Sequence, residues 1–166
     1  SLAQGGVAAV LDLENDSFDL HINDTMIAGK QANDIDAVTV LVEEGPDEVR
    51  KIIDYGVEFD KRPDGELNMT LEGGHCRRRI VHHKDTTGAE MIRAMVLEAQ
   101  KRPNISILEN TPVFKLARVK SGICAHILTP DGQDEIFSSY CVLATGGIGR
   151  VYKYTTNPKV ATGDGI

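Results

Sequence analysis

A chain of 166 residues with 41% hydrophobic and 26% charged side chains has the size and balance of one globular domain with a buried core. Its net charge of −7 excludes a general nucleic-acid binder, since the phosphate backbone requires a basic face. No apolar run approaches the roughly 20 residues of a membrane helix, and three cysteines (Cys76, Cys124, Cys141) without CxxC spacing suit a reducing cytoplasm better than a disulfide scaffold.

Gln4-Gly5-Gly6 followed by residues 7–11 is a glycine turn feeding an apolar run, either a buried strand or short helix or a backbone cradle for a cofactor. From Ser17 the spacing predicts a helix with Phe18, Ile22, Met26 and Ile27 on one face, Gly29 as its stop and His21 on its surface. A second helix is expected over 34–44, striped by Ile35, Val38, Leu41 and Val42 and broken by Gly45-Pro46. Pro46 then opens a third, with Asp47 and Glu48 at its positive end, Val49, Ile52 and Ile53 buried, and Gly56 ending it. Residues 57–59 and 67–69 read as short strands around the turn Arg62-Pro63-Asp64-Gly65.

Residues 72–88 stand apart. Three of the five histidines (His75, His82, His83), the consecutive Arg77, Arg78 and Arg79, and the pair Gly73-Gly74 fall within them. Local positive charge in an acidic chain fits a small-anion site, with arginine forking onto a carboxylate or phosphate, or a solvated loop whose arginines pair with nearby acids. Thr87-Gly88-Ala89-Glu90 has capping-box spacing and starts a helix striped by Ile92, Met95, Val96 and Ala99, ending at Arg102-Pro103. Methionines at this spacing belong to a core more often than to a plastic binding surface. A strand is expected over 105–108, then a β-meander over 113–119, 123–129 and 135–143 with turns at Lys120-Ser121-Gly122 and Pro130-Asp131-Gly132.

The meander's end, Cys141-Val142-Leu143-Ala144, is continuously apolar, as a strand buried on both faces should be, and runs into Thr145-Gly146-Gly147. Backbone N–H groups at such a strand end suit a nucleotide cofactor, or simply a tight turn. Thr155-Thr156-Asn157-Pro158 and Thr162-Gly163-Asp164-Gly165 offer hydroxyls and a carboxylate for ribose or ribityl hydroxyls, or ordinary turns. His75, Cys76, His82 and His83 lack zinc-site spacing, so no metal is expected; His126, in a strand, reads as structural. No GxSxG elbow or cysteine beside a local base supports a hydrolase.

Together, Leu2-Ala3-Gln4-Gly5-Gly6-Val7-Ala8-Ala9-Val10, Asp24-Thr25-Met26-Ile27-Ala28-Gly29, Ala144-Thr145-Gly146-Gly147 and Thr162-Gly163-Asp164-Gly165 resemble the flavin domain of the succinate dehydrogenase and fumarate reductase flavoprotein superfamily. Within it, Glu72-Gly73-Gly74-His75, Arg78-Arg79-Ile80, His82-His83, Asp85-x-Thr87-Gly88 and Val151-Tyr152-x-Tyr154-Thr155-Thr156-Asn157-Pro158 are similar to the L-aspartate oxidase branch. The resemblance implies an α/β, Rossmann-like FAD/NAD(P)-binding domain, present in part and lacking the N-terminal GxGxxG unit, with 1–166 as the central part of one FAD-binding domain. It implies a cytoplasmic flavoenzyme that oxidises L-aspartate to iminoaspartate toward quinolinate and NAD, passes electrons to oxygen or fumarate, and has quinolinate synthase as a candidate partner.

By the same motif matching, Ala3, Gln4, Gly5, Gly6, Val113, Ala144, Thr145, Gly146, Gly147 and Asp164 would contact FAD, with Val113 on the adenine side. Glu72 would orient the substrate, and a carboxylate is the natural partner for the ammonium group that distinguishes aspartate from succinate. The resemblance places the proton-transferring arginine outside this chain, so no catalytic residue is expected in it and the chain alone is expected to be inactive. The rival readings are a fumarate reductase or succinate dehydrogenase flavoprotein, and a non-catalytic anion-binding module built on Arg77, Arg78 and Arg79.

Overall fold

The computed structural model describes residues 5–165; Ala3 and Gln4, both expected flavin contacts, lie outside the described residues. The fold mixes helices with small sheets, and the chain divides into two compact units, Ser1–Ile105 and Ser106–Ile166.

In the first unit, β1 (Val7–Ala8), β2 (Met69–Thr70) and β3 (Ile80–Val81) form an antiparallel sheet in the order β1-β3-β2. Val81 sits opposite both Val7 and Met69 and is fully buried, in a core with Ala9, Val49, Val57, Phe59 and Ala94. Val57 and Phe59 are buried as a strand there would require, but their segment forms no ladder beyond isolated bonds such as Asp60 N–H to the His82 carbonyl. The turn at 62–65 closes as expected, Gly65 donating to the Arg62 carbonyl at a positive φ of 90°.

Helix α1 (Phe18–Ala28) starts where Ser17 caps it, the serine Oγ accepting from Leu20 N–H, and Gly29 follows its end. Phe18, Ile22 and Met26 pack on Val10, Val38 and Val42, whereas Ile27 is exposed. His21 is 7% exposed, which corrects its expected surface position: α1 buries a second, polar side made of His21 and Asp24.

The expected break at Gly45-Pro46 does not occur. One helix, α2 (Ile35–Asp54), runs through it, capped by Asp34. Pro46 forfeits a backbone bond, but Val38, Val42, Pro46 and Val49 form one continuous buried stripe, and that packing holds the helix together across the proline. Ile35 and Leu41, expected in the stripe, are exposed; Ile52 and Ile53 do pack on the core.

Helix α3 (Thr87–Lys101) begins where expected, without the capping box. Glu90 turns instead to the Glu58 N–H and to Arg93, so α3 buries Thr87, Glu90 and Ala94. The predicted stripe is therefore on the wrong face: Ile92, Met95 and Val96 are exposed, while Met91 packs on the core. A buried ion-paired carboxylate outweighed the apolar periodicity.

The second unit is the expected meander: β4 (Val113–Val119), β5 (Gly122–Thr129) and β6 (Gly132–Ser138), antiparallel in that order with a bulge between Val113 and Lys115. Gly122 and Gly132 take positive φ values of 149° and 124° where the chain reverses. The third strand stops at Ser138, short of the expected 143. Residues 141–144 pair with no strand among the described residues and Val142 is 87% exposed, which corrects the reading of a strand buried on both faces. Residues 105–108 likewise form no strand, and Ile105, Ile107 and Leu108 are exposed. In both places β propensity finds no ladder partner.

Candidate functional site

The Gly5-Gly6 pair and the loop carrying Glu72 meet in the first unit. A Cβ on Gly5 would lie 3.7 Å from Glu72 Oε2, so the Glu72 carboxylate stands beside the Gly5 backbone. Gly6 has a packing duty: a Cβ there would overlap the Val81 carbonyl oxygen and the Ile80 Cγ2 on β3. Glu72 is exposed, its backbone carbonyl accepts from His75 N–H at 3.2 Å, and no ion pair engages its carboxylate among the described residues.

The loop carrying Glu72 is anchored by Arg79, which is completely buried. Its Nε and Nη2 donate to Asp16 Oδ2 and Oδ1, both at 2.7 Å, and its Nη1 donates to Asp24 Oδ2 at 2.6 Å. Asp24 Oδ2 also accepts from Cys76 N–H at 2.8 Å, and His75 Nδ1 lies 3.1 Å from Arg79 Nη1. The bidentate bond that Arg79 donates to Asp16 raises the Arg79 pKa, against the opposing effect of burial. Burial works against the charge on Asp24, but the Cys76 N–H and the Arg79 guanidinium hold its carboxyl below the usual range. His21, its ring 5.4 Å from that of His75, is pushed down to about 4 by burial and then by the Arg79 charge, and its buried Nδ1 has no partner among the described residues.

Arg79 is thus committed to Asp16 and Asp24, which removes it from the expected three-arginine anion site. Arg77 and Arg78 are exposed and line, with Arg62, Asp12 and Asn68, an open hollow of about 820 Å³. The histidines are spoken for singly: His82 pairs with Asp60 at 3.2 Å, and His83 Nδ1 meets the Glu58 carbonyl. The buried Asp16–Arg79–Asp24 cluster was missed in the sequence because Arg79 lies 63 and 55 residues from its two acids; the local signals were the acid-rich run around Ser17 and the Arg77-Arg78-Arg79 run.

In the second unit, the segment 144–147 and the Asp164 turn come together. A Cβ on Gly165 would overlap the Thr145 side chain, one on Gly163 would lie 3.1 Å from Ile148 Cγ2, and Arg150 N–H donates to the Ala161 carbonyl. Gly146 has φ +77°, and a Cβ on Gly146 or Gly147 would meet nothing within 4 Å. That open backbone fits a group needing close approach to N–H donors, as the phosphates or ring edge of a flavin nucleotide do. Asp164 is exposed and accepts from the Thr162 hydroxyl; Val113 is exposed at the start of β4.

In the first unit a glycine pair stands beside an exposed carboxylate without an ion pair among the described residues, and in the second an open glycine backbone is closed by a Thr-Gly-Asp-Gly turn; each fits a flavin-nucleotide domain. The chain belongs to the FAD binding domain family, whose model matches residues 1–166, and FAD is that domain's cofactor. Among its relatives, the L-aspartate oxidase of Streptomyces coelicolor is 45% identical over 99% of this chain, and that of Clostridium perfringens 41% identical over 100% of it. A variant of E. coli quinol fumarate reductase superposes with a TM-score of 0.90 at 30% identity over 99% of this chain. The chain spans 29%, 37% and 28% of the lengths of these three proteins, respectively.

Proposed function

We propose that this chain is the central part of a single FAD-binding domain in an L-aspartate oxidase, which oxidises L-aspartate to iminoaspartate. The observation that carries this reading is Glu72: an exposed carboxylate without an ion pair among the described residues, beside Gly5, on a loop held by a buried arginine. Such a carboxylate receives an ammonium group, which L-aspartate has and succinate lacks. Bound FAD supplies the two-electron oxidation. Glu72 orients the α-ammonium, Gly5 and Gly6 in the first unit approach the cofactor through backbone, and Val113, Ala144, Thr145, Gly146, Gly147 and Asp164 do so in the second. Ala3 and Gln4 complete the set by motif. The electrons then pass to oxygen or fumarate, and the product feeds quinolinate and NAD synthesis in the cytoplasm, with quinolinate synthase as the downstream partner.

A second reading, a fumarate reductase or succinate dehydrogenase flavoprotein, is favoured by the likeness to quinol fumarate reductase. The test is anaerobic bleaching of flavin absorbance in a polypeptide of the relatives' length that contains this chain. L-aspartate should bleach the flavin, and Glu72→Gln should slow that reduction at least 10-fold while leaving bound FAD in place, the loss of about 1.4 kcal/mol or more expected for one charge-assisted contact. Bleaching by succinate alone would move the protein to the second reading.

A further inference from the structure

The meander carries a group of side chains outside the expected flavin contacts. Cys124 and His126 are two apart on β5 and so share one face, and Glu135 on β6 is the register partner of His126. Cys124 Sγ lies 3.9 Å from His126 Nε2, His126 Nδ1 lies 3.1 Å from Glu135 Oε1, and one ligand atom from each falls within 4.8 Å of the other two. The Phe114 ring packs 6.0 Å from the imidazole, and a hollow of about 460 Å³ lined by His126, Glu135 and Phe137 opens to solvent beside it.

We propose that Cys124 and His126 form a binding site for a thiophilic divalent cation of the zinc class, with Glu135 positioning the imidazole. An ionised carboxylate only accepts, so Glu135 draws the imidazole hydrogen onto Nδ1 and leaves the Nε2 lone pair facing Sγ. That is the tautomer a metal requires, held by the carboxylate–histidine pairing that supports metal-bound imidazoles. Zinc bond lengths at a tetrahedral angle separate sulfur from nitrogen by about 3.6 Å, so the pair closes by a few tenths of an ångström. Binding transfers the thiol proton to solvent, and the charges of thiolate and carboxylate offset that of the cation. Water from the hollow completes the coordination. Sulfur and nitrogen donors exclude magnesium and calcium, which take oxygen.

The test is a Co²⁺ titration of the 166-residue chain carrying Cys76→Ser and Cys141→Ser, followed by Zn²⁺ displacement. One equivalent of Co²⁺ should produce a near-ultraviolet thiolate-to-cobalt band that Zn²⁺ removes. Cys124→Ser should abolish the band, and Glu135→Gln, at an exposed position that leaves folding intact by circular dichroism, should weaken Co²⁺ binding about 10-fold or more. Absence of the band, its survival in Cys124→Ser, or unchanged affinity in Glu135→Gln would each overturn the site.

Discussion

A methyl group on Gly6 would be driven into the backbone of β3, where neither the Val81 carbonyl nor the neighbouring Ile80 can yield without moving the sheet. Gly6→Ala is therefore expected to cost about 1–3 kcal/mol, read as a lowered urea midpoint, whatever the glycine does for a cofactor. Arg79→Met should be worse, about 3–5 kcal/mol, because it leaves Asp16 and Asp24 buried without their cation; a mild loss would show that water reaches the cluster. The same region sets the acid response. Between pH 6.5 and about 4 the unfolded chain protonates its His21 while the folded chain keeps it neutral, so stability falls as pH drops through that window, by up to about 3 kcal/mol. Glu90 acts in the same direction lower down. Arg93 holds its carboxyl at about 2, so its contribution is complete above about 4.5 and is lost as pH falls toward 2. Urea midpoints at pH 7, 6 and 5 should decline, and His21→Leu should flatten that decline; an unchanged slope would remove His21 as its source.

At the scale of elements, α2 shows what local patterning can and cannot reveal. Gly45-Pro46 reads as a break because both residues oppose helix locally, but the register joining Val38, Val42, Pro46 and Val49 is set by what lies opposite them. Continuity has a measurable consequence. A Cβ on Gly45 meets nothing within 4 Å, so Gly45→Ala should stabilise the protein by about 0.5–1 kcal/mol in thermal unfolding; a true chain break would give no gain. Features fixed by neighbours in sequence were legible: the start of α1 at Ser17, the turns at Gly122 and Gly132, the start of α3. Features fixed across the chain were not. The buried face of α3 depends on Glu90 reaching Glu58, and the Cys124–His126–Glu135 group depends on the register that sets residue 126 against residue 135. On the candidate site, the motifs put Glu72 and the glycine turns on the page, while the Arg79 anchor needed three-dimensional proximity.

For the whole molecule, the decisive feature is how the expected flavin contacts are supported. They are backbone groups and small side chains, Gly5 and Gly6 in one unit and Val113, Ala144 to Gly147 and Asp164 in the other, and such contacts hold a ligand firmly only when the backbone is already fixed. The segment leading into Ala144 has no ladder partner among the described residues and exposes Tyr140, Val142 and Leu143, an apolar run better suited to a sheet than to water. Ordering it at the moment of binding costs roughly 1–2 kcal/mol per residue, which offsets much of what a few N–H contacts contribute. The 166-residue chain by itself is therefore expected to lose FAD on gel filtration and to show no turnover with L-aspartate. Visible flavin absorbance co-eluting in stoichiometric amount would overturn this, and would mean that residues 139–147 are held in place before the cofactor arrives.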